Sequence, residues 1–448
     1  MTAIPNRHRT KTILTLAAPV ILEMILGMVV WIADTAMVGR LDAKALSAVG
    51  LGGQIFFSSV NVFASIGVGA AAIVARHIGA KNYERSSESA THAFQLGILL
   101  GIILFVCSYF FFDKFFVVAN AEEDVVILGS DYLRILSVAG IFMVPGFISS
   151  AILRATGDTK TPMIGAIITN LINLVGDYVL IFGKWGFPRL EVAGAAIATA
   201  IGQIIGFTYV MLVLFKGRGP LECRLGKGTI KNSKDFKQIW KFSFPALINE
   251  LMISGGRLIY SFMVIGMGTL SFAANQIAVT AESLSFMPNS GFAVAATTLV
   301  GQSLGAGDER EAEEYGWSSA FLAAVVMGVT ALIFLFFPTV MARLFTDEGD
   351  VVELAGKCIR IASLEQIPMA YSMVLSGALK GAGDTKGAMY ITIGSNWLYR
   401  LPVSFLAIYI LKLPVAYLWF VTAIQYIIET AFFAYRFKKR EWVNIRIS

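Results

Sequence analysis

The chain has 448 residues, of which 56% are hydrophobic and only 15% charged, and its formal net charge is +6. An average soluble domain carries about 25% charged residues, so this composition argues against a soluble protein and favours a membrane protein. Three cysteines without metal-ligand spacing cannot form a paired disulfide framework. The sequence has no Gly-x-x-x-x-Gly-Lys-Ser/Thr phosphate loop, which argues against ATP hydrolysis.

Long apolar runs follow one another along the chain, and several exceed the ~18 residues that predict a transmembrane helix. They show no alternating pattern of about ten residues, as the strands of a membrane β-barrel would. The runs predict an all-α polytopic membrane protein with twelve spanning helices, at residues 13–37, 46–72, 90–112, 128–152, 163–183, 192–215, 240–265, 272–298, 317–340, 355–378, 388–411 and 414–436.

Short motifs recur at a constant offset of 226 residues along the chain. Three pairs share it: Pro19 with Pro245, Ile78-Gly79-Ala80 with Leu304-Gly305-Ala306, and Gly157-Asp158-Thr159-Lys160 with Gly383-Asp384-Thr385-Lys386. The offset predicts a parallel internal repeat of two six-helix lobes, 1–215 and 240–448, joined by a cytoplasmic linker at 216–239. Paired bundles that move about a central site are the usual build of a secondary transporter.

The basic residues predict the orientation in the membrane. An even number of spans puts both termini on one side, and that side holds 24 of the 36 Lys and Arg residues. The other side holds seven, and five fall inside predicted helices. The positive-inside rule therefore places both termini in the cytoplasm. The net charge follows from this bias and indicates contact with anionic lipid rather than with nucleic acid.

Polar side chains inside the N-terminal lobe form the strongest candidate site, because ionisable groups at membrane depth mark function by default. Asp34 ends the first predicted helix, Asn173 and Asp177 share one face of the fifth, and Thr199 lies on the sixth. These groups predict a cation-coupling site for Na⁺ or for proton exchange, since two close carboxylates resist ionising together. Asn170 is a further candidate for substrate or ion handling. The alternative is that both aspartates lie near outer helix ends and are merely hydrated.

The C-terminal lobe has its own glutamates at membrane depth. Glu282 lies in the eighth predicted helix and Glu365 in the tenth, and both are candidates for substrate or ion handling. Glu250, in the seventh, is a third candidate. Arg257 follows it by seven residues on roughly the same face, so a structural pair and a cation site are both open. Arg400 is more typical of a packing partner than of a ligand.

Four segments resemble the multidrug and toxic compound extrusion (MATE) family over nearly the whole chain. They are Ala-Asp-Thr-Ala-Met-Val-Gly-Arg at 33–40, Arg-His-Ile-Gly-Ala-Lys at 76–81, Arg-Ala-Thr-Gly-Asp-Thr-Lys-Thr-Pro at 154–162 and Gly-Ala-Ala-Ile-Ala-Thr at 194–199. The stretch from Asn173 to Asp177, followed by Tyr-Val-Leu-Ile-Phe-Gly, resembles the DinF-like branch.

The resemblance implies a bacterial inner-membrane antiporter that expels organic cations and drugs against incoming Na⁺ or H⁺. The family's cation residues correspond to Asp34, Asn173, Asp177 and Thr199, which are also the expected ligands of any bound Na⁺. The NorM-like branch has an acidic residue in the tenth helix where this chain has Met369. Met369 is therefore included among the candidates for substrate or ion handling, and the N-terminal lobe is favoured for coupling.

Three other functions are compatible with a helical membrane protein. A flippase for lipid-linked or amphipathic substrates shares the repeat plan, but its cavity should be rich in Arg and Lys to hold pyrophosphate. An enzyme would need a nucleophile–base pair or a metal set at membrane depth, and the sequence offers none, so no catalytic residue and no cofactor is expected. A channel would not drive uphill transport. We expect a monomer in the bilayer that handles small cationic or amphipathic molecules.

Overall fold

A computed structural model describes residues 5–118, 121–217 and 233–445, and the regular structure in these ranges is helical throughout. Most of the predicted linker, residues 218–232, lies outside the described residues, and so does Cys223. The first repeat contains eight helices: α1 (Arg7–Val38), α2 (Ala43–Ala64), α3 (Ile66–Gly79), α4 (Tyr83–Phe111), α5 (Asp113–Val118), α6 (Glu123–Ala155), α7 (Lys160–Phe182) and α8 (Glu191–Lys216).

The second repeat follows the same plan with more interruptions. Its helices are α9 (Ser233–Ile265), α10 (Thr269–Gly305), α11 (Glu309–Phe336), α12 (Pro338–Arg343), α13 (Gly349–Ala362), α14 (Gln366–Gly381), α15 (Thr385–Ile393), α16 (Leu401–Phe405) and α17 (Ala416–Lys439). Two π-helical segments, Gly394–Arg400 and Leu406–Ile410, flank α16. Such π-helical turns are rare and often lie at functional sites.

The predicted spans agree with these helices. Each of the twelve coincides with a helix or with a run of consecutive helices. By length and composition, eight helical stretches can cross a membrane: Arg7–Val38, Ala43–Gly79, Tyr83–Phe111, Glu123–Ala155, Lys160–Phe182, Glu191–Lys216, Glu309–Phe336 and Ala416–Lys439. The predicted spans 240–265, 272–298, 355–378 and 388–411 coincide with helices that do not meet this measure.

Short polar side chains cap the N-termini of several helices at corresponding places in the two repeats. The Asn82 side chain accepts from the backbone N–H of Arg85 at 3.2 Å, and Asp308, 226 residues later, accepts from Glu311 at 2.8 Å. Asp384 in the second Gly-Asp-Thr-Lys motif accepts likewise from Gly387. These bonds satisfy N–H groups that the first helical turn leaves without partners, so these motifs have a structural role.

The described residues fall into two compact units. The N-repeat unit comprises 22–78 and 82–247, and the C-repeat unit comprises 1–21, 79–81 and 248–448. The division therefore cuts α1 two residues after Pro19 and cuts α9 two residues after Pro245. Proline removes one intrahelical hydrogen bond and crowds the preceding turn, so each cut coincides with a weak point of its helix. The predicted lobe boundaries, 1–215 and 240–448, stay a prediction.

The C-repeat unit has an apolar core into which the first turns of α1 pack. Ile13, Leu16 and Ala17 are buried in one cluster with α10 residues such as Phe292. The approach is close because α10 has a glycine here: a Cβ on Gly291 would lie 3.0 Å from the Ala17 carbonyl oxygen. Small residues at such crossings are typical of membrane helix packing.

Candidate ion-binding site

The site in the N-repeat unit is built on the close packing of α7 against α8. A Cβ on Gly202 would lie 2.7 Å from the Thr169 carbonyl oxygen, and one on Gly176 would lie 2.8 Å from the Ala198 Cβ. Only glycine allows the two backbones to come this near. The approach brings the Asn173 amide within 3.1 Å of the Thr199 hydroxyl oxygen, to which its Nδ2 donates. Two of the four predicted coupling residues are thus hydrogen-bonded to each other.

Asp177 lies one turn beyond Asn173 on the same face of α7. Its side chain is fully buried, and neither carboxylate oxygen has a well-aligned hydrogen-bond donor among the described residues, although the Asn173 amide is close enough to interact with it. Asp34, near the end of α1, is within hydrogen-bonding reach of Asp177 and also has a buried oxygen without a donor. Two facing carboxylates with so few donors need a shared proton or a cation between them, because burying unpaired charge is costly.

The donor set favours a hard cation or a proton. Carboxylate, amide and hydroxyl oxygens are the ligands that hard cations prefer. Within the ranges that the structure describes, no three His, Cys, Asp or Glu side chains come together as a metal site. The residues therefore fit Na⁺ or H⁺ better than a transition metal.

Tyr132 is a member of this site that the sequence did not reveal. It lies on α6, is 2% exposed, and interacts electrostatically with both Asp34 and Asp177. Gly52 on α2 makes room for its ring, since a Cβ there would lie 3.2 Å from the Tyr132 Cδ1. A lone tyrosine within an apolar segment gives no signal by spacing or charge, so only the packing of α2 against α6 identifies it.

The part of α1 that carries Asp34 is anchored by an ion pair. Arg154, in the last turn of α6, donates from Nη2 to Glu23 Oε1 at 2.6 Å, and the two side chains are 16% and 18% exposed. Glu23 lies one turn after Pro19. This pair fixes α1 within the N-repeat unit directly beyond the proline.

Asn170, the remaining candidate of the N-terminal lobe, lies beside the hydrogen-bonded residues of the site. Asn170 is half-buried one turn before Asn173, and it takes no part in the Asn173–Thr199 bond. Its role in substrate or ion handling stays a prediction.

The C-repeat unit brings Glu282 and Glu365 together. They lie within hydrogen-bonding reach of each other, and both oxygens of the fully buried Glu365 have no donor among the described residues. Unlike the aspartates, they have a cationic neighbour: Arg400 interacts electrostatically with both. The carboxylates of this repeat are therefore surrounded by charges of both signs.

The other candidates of the C-repeat unit lie around this pair. Glu250 interacts with Lys380, whereas Arg257 interacts with Glu282. Met369 is fully buried in the apolar core, and its carbonyl accepts from Asn289 Nδ2 at 3.2 Å. That environment gives Met369 a packing role here, and its part in substrate handling stays a prediction.

Glu429, on α17, was not among the favoured candidates, yet its carboxylate accepts hydrogen bonds from three side chains of the described residues. It accepts from the hydroxyl of Ser372 at 2.7 Å, from Gln425 Nε2 at 3.1 Å, and from the Ser395 hydroxyl. The three donors come from three helical segments. Glu429 therefore holds α14, α17 and the π-helical segment together.

Helices of membrane-spanning length, an internal repeat and buried carboxylates at membrane depth define a polytopic helical membrane transporter. The MatE family model matches the chain twice, at residues 19–179 and 245–406, with starting points 226 residues apart. The chain belongs to the MatE family, and the repeat predicted from the motifs is confirmed.

Relatives agree with this assignment. The chain is 34% identical over 412 residues to the probable multidrug resistance protein NorM of Thermotoga maritima, covering 91% of this chain and 88% of that protein. It is 25% identical to the multidrug resistance protein MdtK of Yersinia pseudotuberculosis, over 88% of this chain and 87% of that one.

Solved structures share the fold. An outward-facing MATE family transporter of the MOP superfamily superposes with a TM-score of 0.90 at 21% identity, covering 98% of this chain and 97% of that chain. A MOP superfamily transporter from Pyrococcus furiosus gives a TM-score of 0.88 at 22% identity, with 96% of each chain covered.

Proposed function

We propose that this chain is a secondary active multidrug efflux antiporter, which exports organic cations and drugs in exchange for incoming H⁺ or Na⁺. It works as a monomer in a bacterial inner membrane with both termini cytoplasmic, and it needs no cofactor besides the coupling ion. The observation that carries the proposal is the pair of facing carboxylates, in which the fully buried Asp177 and one buried oxygen of the half-buried Asp34 have too few protein donors.

The pair supports ion coupling through simple electrostatics. When no ion is bound, two facing carboxylates in a poorly solvated site repel each other. A proton or Na⁺ removes that repulsion and draws Asp34 toward Asp177, with Asn173 and Thr199 completing the set of oxygens. Asp34 moves with α1, so ion binding acts on the helix that carries it.

Helix α1 transmits the change. On the N-terminal side of Asp34, the ion pair between Glu23 and Arg154 holds α1 in place, and Pro19 lies one turn before Glu23. Ion binding bends or reorders α1, narrows the cavity of the N-terminal lobe and releases substrate outward. The ion can shift this equilibrium only by as much as its affinity differs between the two conformations.

The experiment is efflux from proteoliposomes under an imposed Na⁺ gradient or an imposed pH gradient. A fluorescent organic cation should move uphill with one of the gradients, and Asp34→Asn should abolish that movement. Asp131→Asn is the matched control, because Asp131 is a 61% exposed acid on α6 adjacent to Tyr132. Intact coupling in Asp34→Asn would refute the mechanism. No uphill movement by the wild type under either gradient would favour the flippase alternative.

A further inference from the structure

Glu429 on α17 is the centre of a polar cluster that takes no part in the mechanism at Asp34. Its carboxylate accepts from the Ser372 hydroxyl at 2.7 Å, from Gln425 Nε2 at 3.1 Å and from the Ser395 hydroxyl. Gln425 lies one turn before Glu429 on α17. Ser372 belongs to α14, and Ser395 belongs to the π-helical segment that precedes α16. These four residues, the Glu429 cluster, therefore join three helical segments.

The Glu429 cluster is shielded from water, because its four residues are only 2–5% exposed. None of the three donors carries a charge, and no Lys or Arg of the described residues forms an ion pair with Glu429. Neutral donors solvate an ionised carboxylate but do not balance its charge. Burying such a charge is costly unless a cation accompanies it.

One atom of the cluster has no partner. The amide oxygen of Gln425 is buried and accepts no hydrogen bond within the part of the chain that the structure describes. It belongs to the amide whose nitrogen contacts Glu429, so it lies beside the carboxylate. Buried polar atoms are normally paired, and a cation can satisfy an acceptor in this position. This atom points to a ligand, because a purely structural network would leave it unpaired.

The cluster offers oxygen ligands of three kinds: the carboxylate of Glu429, the amide oxygen of Gln425 and the hydroxyls of the two serines. Hard cations prefer such oxygens. Each hydroxyl has free lone pairs and can turn its proton away from the carboxylate, so that its oxygen faces a bound ion. One negative charge balances a monovalent cation, whereas Ca²⁺ or Mg²⁺ would leave positive charge uncompensated.

We propose that the Glu429 cluster is a Na⁺ site of the C-repeat unit, made of residues distinct from those around Asp34. The bound ion neutralises Glu429, satisfies the amide oxygen of Gln425 and links α14 and α17 to the π-helical segment. Coupling at Asp34 does not need this ion. The inference goes beyond the proposed function, because the cluster binds Na⁺ whether or not the chain is an antiporter.

The test measures ²²Na⁺ binding by purified full-length protein at pH 8, with K⁺ keeping the ionic strength constant. Asp34→Asn serves as the background, so that the N-repeat site does not contribute. This variant should bind about one Na⁺ per chain, and Asp34→Asn/Glu429→Gln should bind none. The glutamine removes the charge but still accepts hydrogen bonds from the serines. Asp34→Asn/Glu353→Gln is the matched control and should keep the ion, because Glu353 is a 71% exposed acid of the same unit.

Gln425→Met separates an ion ligand from a residue that only holds helices together. Methionine has a similar length but no amide oxygen. In the Asp34→Asn background it should weaken Na⁺ binding by about tenfold or more, since even supporting residues of metal sites change affinity by about 10- to 100-fold. Unchanged binding in this variant would overturn the inference. So would Na⁺ binding that survives Glu429→Gln, because the ion would then lie elsewhere in the chain.

A second measurement does not depend on the Glu429→Gln protein folding. A ligand that binds only the folded state raises the thermal transition, so Asp34→Asn should unfold at a higher temperature in NaCl than in KCl of equal ionic strength. Equal transitions in the two salts would overturn the inference.

A proton is the competing ligand, and the other titratable groups that act electrostatically on Glu429 are Lys380, Arg400 and Tyr426. A transition that responds to pH but not to Na⁺ would assign the cluster to a proton and would also overturn the inference. Failure of the proposed function is seen separately, as absent ion-driven efflux by the wild type, because neither binding nor unfolding requires transport.

Discussion

Replacing Thr199 by valine tests whether the hydrogen bond between α7 and α8 belongs to the ion site. Valine has nearly the same shape, so the change removes a hydroxyl without opening a cavity. Asn173 and Thr199 are 6% and 8% exposed and are joined at 3.1 Å. The Asn173 amide would lose its acceptor in a place that water barely reaches.

The expected magnitude follows from that burial. A buried polar group left without its partner costs about 1–3 kcal/mol. If the ion-bound state is the one that needs this arrangement, the cost appears as an ion affinity about 5- to 150-fold weaker. A direct ligand role of the hydroxyl would move the result toward the upper end of this range.

The assay is initial-rate efflux at a series of Na⁺ or H⁺ concentrations, with the driving ion identified as above. Thr208→Val is the matched control, because Thr208 is a half-buried threonine on the same helix, away from Asn173. The reasoning is refuted if Thr199→Val and the control show the same half-saturating ion concentration. A lower maximal rate with an unchanged ion dependence would mean that the Asn173–Thr199 hydrogen bond stabilises the packing of α7 against α8 and does not take part in ion binding.

Further variants test the packing around the site and the loop of the second repeat that carries Gly-Asp-Thr-Lys. Gly202→Ala places a methyl against a backbone carbonyl of α7 and should cost about 1–3 kcal/mol of stability, measured as a lower thermal transition. Gly50→Ala is the control, because a Cβ there meets open space and should have little effect. Equal effects of the two variants would contradict the packing argument. Tyr132→Phe removes the hydroxyl that interacts electrostatically with Asp34 and Asp177 and should weaken the ion dependence; an unchanged dependence would leave the ring a packing role only. Arg436→Met removes the two guanidinium donors of the buried Asp384, which also caps α15, and should lower stability by about 1–3 kcal/mol. Lys439→Met breaks an exposed pair and should change stability by at most about 1 kcal/mol, so similar losses in both would argue against a special role for the buried pair.

The sequence predicted the helices and the repeat because apolar length and motif spacing are local properties of the chain. It also grouped Asn173 with Asp177, since four residues along a helix return to the same face. It could not show that α7 and α8 are close enough to join Asn173 to Thr199, because this depends on which side of each helix its glycines occupy. Tyr132 was missed for the same reason.

The charges of the second repeat were harder to interpret. Seven-residue spacing suggested a pair between Glu250 and Arg257, and the structure adds an interaction of Glu250 with Lys380 and one of Arg257 with Glu282. Spacing along one helix defines a face but not the neighbouring helix that the face meets. Arg400 looked like a packing partner, and its contact with Tyr260 agrees with that. Its electrostatic role depends on helices that are distant in sequence.

The boundary between the two compact units divides both α1 and α9, and this has a consequence for the origin of the chain. Each compact unit is completed by the opening turns of the other repeat's first helix, cut two residues after a proline in both cases. A one-repeat ancestor would have reached this arrangement by pairing with a second copy and exchanging the start of its first helix, which is a domain swap between identical protomers. Gene fusion would then have made the swap permanent. The two prolines mark where the exchanged segments begin to return to their own halves.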